Sequence, residues 1–232
     1  MKKLALVLAG ALVLSAAAAA QEKGGAPKPP AKATPGKPAA STTKPVAVLD
    51  TDLGRIVIEF YPEKAPRHVK NFLDLCKSGF YNGTKFHRTI PNFMIQGGDP
   101  NTKTDNKATW GQGGHMGKDG KEINVPHEFT DLKHLRGVLS MARASDPDSA
   151  SSQFFICVAD VPQLDGKYSV FGRVVEGMEV VDRIVNAPSG PRSMEDPEGS
   201  RPVKPVSVKK AWVEKRPVGE APAAVSQPVP AK

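Results

Sequence analysis

The residues best suited to chemistry lie between Phe86 and Asp99, in the run FHRTIPNFMIQGGD. Arg88 follows two ring side chains, Pro91-Asn92 makes a turn, and Phe93-Met94-Ile95-Gln96 leads into Gly97-Gly98. Read as two short strands, the second sends Phe93 and Ile95 to one side and Met94 and Gln96 to the other. A loop can then set Arg88, Phe93, Met94 and Gln96 around one apolar hollow with a cation at its edge. That set contains no nucleophile and suits gripping a small ring beside an amide. Other candidate chemistries fail on spacing. His127-Glu128 opens like a zinc-protease HExxH, but Asp131 stands where the second histidine belongs. His68, His115 and His134 show no ligand spacing, so no metal is expected. Gly111-Gln112-Gly113-Gly114 lacks the Lys-Ser/Thr of a phosphate loop, and no G-x-S-x-G elbow supports a serine hydrolase.

The elements that must position this stretch can be read from periodicity. Val46 to Thr51 and Arg55 to Phe60, separated by Asp52-Leu53-Gly54, predict a β-hairpin. Val69, Phe72, Leu73 and Cys76 fall at helical spacing, with Pro66 near the start and Gly79 after the end, which predicts an amphipathic helix. Asp99 to Leu135 is long, Gly- and Lys-rich and without periodicity, a loop of the length that usually carries function or motion. Gly137 to Ala142 and Gln153 to Val158 predict strands joined by the polar loop from Arg143 to Ser152, and Ser169 to Val175 predicts another. A short helix follows Gly177, and Val206 to Val213 closes the domain as a last strand. Many short strands with two helices imply an antiparallel barrel or sandwich capped by helices.

The rest of the 232-residue chain does not build a core. Met1-Lys2-Lys3, the apolar run Leu4 to Leu14 and the small residues Ser15 to Ala20 have the order of a secretory signal peptide, cleaved after Ala20, and the run is too short for a membrane span. An uncleaved helix is the alternative. Residues 21–45 are Pro, Ala, Lys, Gly and Thr and predict a disordered linker; residues 217–232 predict a disordered tail, leaving one domain over 46–216. Seven lysines against Glu22 put +6 of the formal +8 before residue 46. The domain therefore carries only +2, and a nucleic-acid partner is not expected. Cys76 and Cys157 both sit at apolar-patterned positions. A bridge is conceivable in an oxidising compartment, but two buried free thiols are the preferred reading.

FHRTIPNFMIQGGD, GVLSMA (137–142), SQFFIC (152–157), LDGKYSVFG (164–172) and EGMEVVDRI (176–184), in this order, closely resemble the cyclophilin family of peptidyl-prolyl isomerases, in particular its bacterial exported class. The resemblance implies a mainly β fold, an eight-stranded antiparallel β-barrel capped by two α-helices. It implies isomerisation of Xaa-Pro bonds during folding of exported proteins, with proline-containing polypeptides as partners, no cofactor, a monomeric state, and a periplasmic or secreted location. By position it implies that Arg88 and Gln96 are catalytic. Phe93, Met94, Phe155 and Leu164 correspond to the proline pocket, Ala142 and Arg143 to the stretch whose backbone meets the peptide before proline, and Tyr168 to the rim. Three positions depart from the family pattern: Arg143 replaces the more usual Asn, Gln163 the Trp of eukaryotic members, and Tyr168 the His after the lysine. The missing indole argues against strong cyclosporin-type binding. His87 is expected to be structural, since bond rotation needs no proton transfer. A non-catalytic proline-peptide-binding or holdase module on the same barrel is the alternative function.

Overall fold

A computed structural model describes residues 43–194 and 196–217. The expected signal peptide, nearly all of the linker and all but the first residue of the C-terminal tail lie outside them. Eight strands form a single antiparallel sheet: β1 (Thr43–Thr51), β2 (Gly54–Phe60), β3 (Arg88–Ile90), β4 (Met94–Gly97), β5 (Val138–Met141), β6 (Phe154–Cys157), β7 (Val170–Glu176) and β8 (Val208–Pro217). Their order is β3-β4-β6-β5-β7-β2-β1-β8. The first strand begins ahead of the expected domain start at Val46. Thr43 to Pro45 pair only with β8, because β2 partners begin at Ala47; a proline is tolerated where one flank of the strand is free.

Eight antiparallel strands with two helices are what the sequence implies, and the barrel differs from that expectation only at its seam. β3 and β8 are the two edges of the ladder, and among the described residues no strand pairing joins them. The gap is stitched instead by an isolated Lys85–Ser207 bridge and by backbone bonds from Phe86 N to Val206 O (3.0 Å) and from Thr89 N to Ser200 O (2.8 Å). Pro202 and Pro205 interrupt the segment facing β3, and without N–H groups they cannot continue a ladder.

Two helices close over the sheet. Helix α1 (Pro66–Lys77) packs on β7 and β8, and α2 (Met178–Val185) on β2, β3 and β4. Helix α1 turns Val69, Phe72, Leu73 and Cys76 inward, as its spacing predicts. Phe72 meets Phe60, Tyr81, Phe154 and Phe171 with ring centroids 5.0–5.7 Å apart, the favoured range for aromatic pairs. Pro66 stands at the helix start, and the free N–H groups of Arg67 and His68 are taken by the two oxygens of Glu128 (3.1 and 3.0 Å). The acid of the near-miss protease motif is thus a helix cap. The helix ends at Gly79, whose φ of +73° and 5→2 bond to Cys76 O, together with the 6→1 bond from Phe80 N to Leu75 O, form a Schellman turn.

The long segment after Asp99 has structure of its own. Asp99 is fully buried and accepts from Asn101 N (2.8 Å) and from Gly111 N. Short 3-10 turns at Pro100–Lys103 and Lys107–Thr109 lie between these anchors. Among the described residues no helix is long and apolar enough to cross a membrane.

Candidate functional site

The site is built on the outer face of β3, β4 and β6. Arg88 pairs with Gln96, Gln96 with Phe155, and Met94 with Cys157. Alternation then puts Arg88, Ile90, Met94, Gln96, Phe155 and Cys157 on one face, while Ile95, Ile156 and Leu139 enter the main core on the other. Met94, Phe155, Cys157 and Val161 form a buried apolar floor. Half-buried Ile90, Phe93, Ala142, Leu164 and Tyr168 pack around it.

Phe93 does not share the side of Ile95, as plain alternation predicts. Asn92 adopts φ +59°, in the left-handed region that asparagine tolerates, so the turn throws the Phe93 ring onto the outer face. The Arg88 guanidinium carbon lies 5.9 Å from that ring centroid. At the other end of β4, Gly98 has φ +84°, and a Cβ there would collide with the Ser152 carbonyl oxygen. A glycine lets β4 leave the sheet directly under the site.

Arg88 is held on several sides. Nη1 donates to Gln96 Oε1 at 3.3 Å and lies 4.0 Å from Met94 Sδ. Nε and Nη2 donate to Glu198 at 2.7 and 2.9 Å. Gln96 Nε2 donates to Gln153 Oε1 (3.0 Å), and Gln153 Nε2 donates to the carbonyls of Gly111 (3.0 Å) and Gly113 (2.8 Å). One chain of hydrogen bonds therefore runs from the guanidinium to the loop that Asp99 organises.

The opposite rim comes from the segments after β5 and before β7. Leu164 sits on a 3-10 turn at Pro162–Leu164, and the Tyr168 ring meets Phe155 edge-on at 5.8 Å. The Arg143 side chain covers Tyr168: its guanidinium carbon is 4.5 Å from the ring centroid, with Nη2 donating to Lys167 O (3.0 Å) and Nη1 to Ala144 O (2.8 Å). All nine site residues named from the sequence thus gather around one apolar patch.

His134 supports the floor from below. Its ring stacks on Phe155 at 6.1 Å, Nδ1 lies 3.1 Å from Asp165 Oδ1, and Nε2 lies 3.1 Å from Ser140 Oγ. The connectivity is that of a hydrolytic triad, but Ser140 is 0% and His134 1% exposed, and Ser140 Oγ also bonds Ser169 O at 3.0 Å. No substrate reaches that hydroxyl. Burial lowers the His134 pKa against the opposing pull of Asp165. Cys157 and Cys76 are buried free thiols; burial pushes the Cys157 pKa up to about 12 and that of Cys76 higher still, so neither is a thiolate nucleophile. His87 is buried with Nδ1 unpaired, and burial holds its pKa down to about 4. Among the described residues no three His, Cys, Asp or Glu side chains gather as a metal site.

Gln153, His134 with Asp165, and Glu198 support site residues although the sequence marks none of them as part of the site. The first three lie in or beside motifs already distinctive, and could have been found by asking what holds Gln96 and Phe155. Glu198 follows Arg88 by 110 positions in an irregular segment, and nothing in the sequence pattern marks it.

Residues 46–213 match the model of the family described as cyclophilin type peptidyl-prolyl cis-trans isomerase/CLD. A peptidyl-prolyl cis-trans isomerase of Acinetobacter baylyi is 46% identical over 166 residues, covering 69% of this chain and 82% of the relative. Peptidyl-prolyl cis-trans isomerase A of Dickeya dadantii is 42% identical over 183 residues, covering 76% and 88%. Among solved structures, a Cryptosporidium parvum cyclophilin-type isomerase crystallised in the presence of the dipeptide Ala-Pro matches with a TM-score of 0.62 at 34% identity, over 73% of this chain and 98% of that one.

Proposed function

The chain belongs to the cyclophilin-type peptidyl-prolyl cis-trans isomerases and is an enzyme of that class, and we propose that Arg88 supplies its rate enhancement by stabilising the twisted Xaa-Pro amide. Resonance in the planar amide sets a barrier of roughly 18–20 kcal/mol. As the bond rotates, the proline nitrogen recovers its lone pair and becomes a better acceptor than in either planar state. A donor aimed at that nitrogen therefore binds the transition state in preference to substrate, which is the only kind of binding that raises turnover. Arginine keeps its charge at any working pH and presents its donors in a rigid plane.

The remaining side chains bind and orient. Met94, Phe155, Phe93 and Leu164 take the proline ring, since an apolar floor with half-buried walls fits a five-membered ring that offers no donor. Gln96 fixes Nη1 of Arg88 and meets the substrate carbonyl. The backbone at Ala142 and Arg143 pairs with the residue before proline, and Tyr168 supplies an aromatic edge. The observation that carries the reading is the Nη1 edge of Arg88, 3.3 Å from Gln96 and 4.0 Å from Met94 beside the buried floor. NMR exchange on an Ala-Pro-Phe peptide tests it: Arg88→Ala is expected to slow catalysed interconversion by about a hundredfold, the usual loss of one preorganised charge-stabilising donor. Equal rates would remove Arg88 from the mechanism.

The setting we propose is folding of exported proteins, on the strength of the signal-like order of Met1 to Ala20. Expressed in a Gram-negative host, the protein should be recovered from the periplasm with Gln21 as its first residue. Recovery from the cytoplasm with the leader intact would sink this.

A further inference from the structure

Glu198 grips the outer edge of Arg88 with both oxygens. Nε donates to Oε2 at 2.7 Å and Nη2 to Oε1 at 2.9 Å, the parallel fork that a guanidinium and a carboxylate make with each other. The inner edge, Nη1, is the one that faces Gln96 and Met94. We propose that Glu198 is a positioning residue of the isomerase, holding the guanidinium plane so that Nη1 stays aimed across the apolar floor. The proposal rests on the role given to Arg88 above.

The segment around Glu198 is built to hold that carboxylate still. Asp196 accepts from Ser200 N (3.1 Å) and Arg201 N (2.8 Å), closing a turn around Gly199. Ser200 Oγ lies between the two carboxylates, 3.2 Å from Asp196 Oδ1 and 3.3 Å from Glu198 Oε2, and shares its one proton between them. Ser200 O accepts from Thr89 N at 2.8 Å, so the turn is tied to the residue next to Arg88 on β3. Carboxylate and guanidinium therefore share one frame. The pair is open to water, with side chains 30% and 53% exposed. An exposed ion pair contributes little to stability, whereas an arginine released from its fork regains the freedom of a long flexible side chain. Loss of Glu198 should thus be felt in turnover more than in folding or in substrate affinity.

Glu198 faces Arg88 from β3 and Asp196 from its own turn, and Arg192, packed beside Gly199, lines the same pocket. Hydrogen bonding to Arg88 holds the Glu198 carboxyl below its ordinary range, against the opposing effects of burial and Asp196. The carboxylate form is therefore present above that range and is lost as pH falls through the lowered value, while Arg88 stays charged throughout.

The test is NMR exchange with the full chain and an Ala-Pro-Phe peptide, with peptide affinity measured alongside. Glu198→Ala is expected to lower kcat about tenfold with affinity changed less than about twofold, the pattern of a misaimed rather than missing donor. Wild-type kcat should fall on acidification below the usual carboxylate range, and Glu198→Gln, slow at neutral pH, should show no such fall. Unchanged or raised kcat in Glu198→Ala beside a slow Arg88→Ala overturns the positioning role and leaves that of Arg88 standing. A fully active Arg88→Ala overturns the reading beneath both.

Discussion

Gln153 shows how much of this site depends on a polar residue outside the apolar floor. It accepts from Gln96 with one end of its amide and donates from the other to the Gly111 and Gly113 carbonyls. Its two ends cannot be exchanged, because Gln96 presents a donor and the glycines present acceptors. Gln153→Glu should therefore do more harm than Gln153→Ala. The carboxylate still accepts from Gln96 but confronts two carbonyl oxygens with no proton to offer, a mismatch costing about 1–3 kcal/mol. Alanine leaves room for water to serve all three partners. We expect catalysed exchange about threefold slower in the alanine variant and at least about tenfold slower in the glutamate variant, with stability reduced mainly in the latter. The opposite ranking, read from peptide exchange rates and urea midpoints, would mean that the amide orientation does not matter. The individual residues of the site were legible because family motifs fix their order; their supports were not, since hydrogen-bond partners of a side chain leave no periodic mark.

Among the elements, those that declared themselves carry a local apolar pattern between turn signals. The hairpin of β1 and β2 reads as two short apolar runs around Asp52-Leu53-Gly54, buried on both faces over Val46 to Leu49 and Ile56 to Ile58, and α1 carries its apolar residues at i, i+3, i+4 and i+7 between a proline and a glycine. Three features stayed hidden because each turns on one or two residues acting against their surroundings. Asn92 at φ +59° moves Phe93 from the side that counting by twos assigns it. Pro202 and Pro205 interrupt the run between the β3 and β8 edges, so the seam of the barrel is laced by a few bonds and is not a continuous ladder. Asp99 folds the long loop around a buried carboxylate whose partners are backbone N–H groups, and backbone donors are the same in every sequence. The site lies where all three meet: Phe93 on its wall, the β3 edge under Arg88, and the Asp99 loop behind Gln153. Local pattern thus named the residues of the candidate site, while the contacts that hold them came from tertiary structure.

At the scale of the whole molecule, three buried histidines set the acid limit of stability independently of catalysis. His68, His87 and His134 all have pKa values lowered chiefly by burial, although Glu128, Asp99 and Asp165 respectively pull the other way. For His87, the nearby cations Arg201 and Arg88 depress it further. A histidine whose folded pKa lies below its unfolded value of about 6.5 binds fewer protons in the native state. Well above that unfolded value it is neutral in both states and costs nothing. As pH falls below the unfolded value the unfolded chain takes up a proton that the native state refuses, and the loss grows until the folded value is reached. With His87 held to about 4, that one residue should cost about 2 kcal/mol by pH 5. The carboxyls of Glu128, Asp165, Asp196 and Glu198 are shifted below their ordinary values. Their contribution persists above the unfolded carboxyl range and is lost only as pH falls below it. The window between about pH 6.5 and 5 thus belongs to the histidines. In urea titrations the wild type should lose stability steadily across it, and His87→Gln, which cannot titrate, should lose about 2 kcal/mol less. Parallel losses in the two proteins would place the proton uptake elsewhere. On the mechanism proposed for Arg88, which needs no proton exchange, catalysed rotation per folded molecule should hold through the same window, so that stability declines before turnover does.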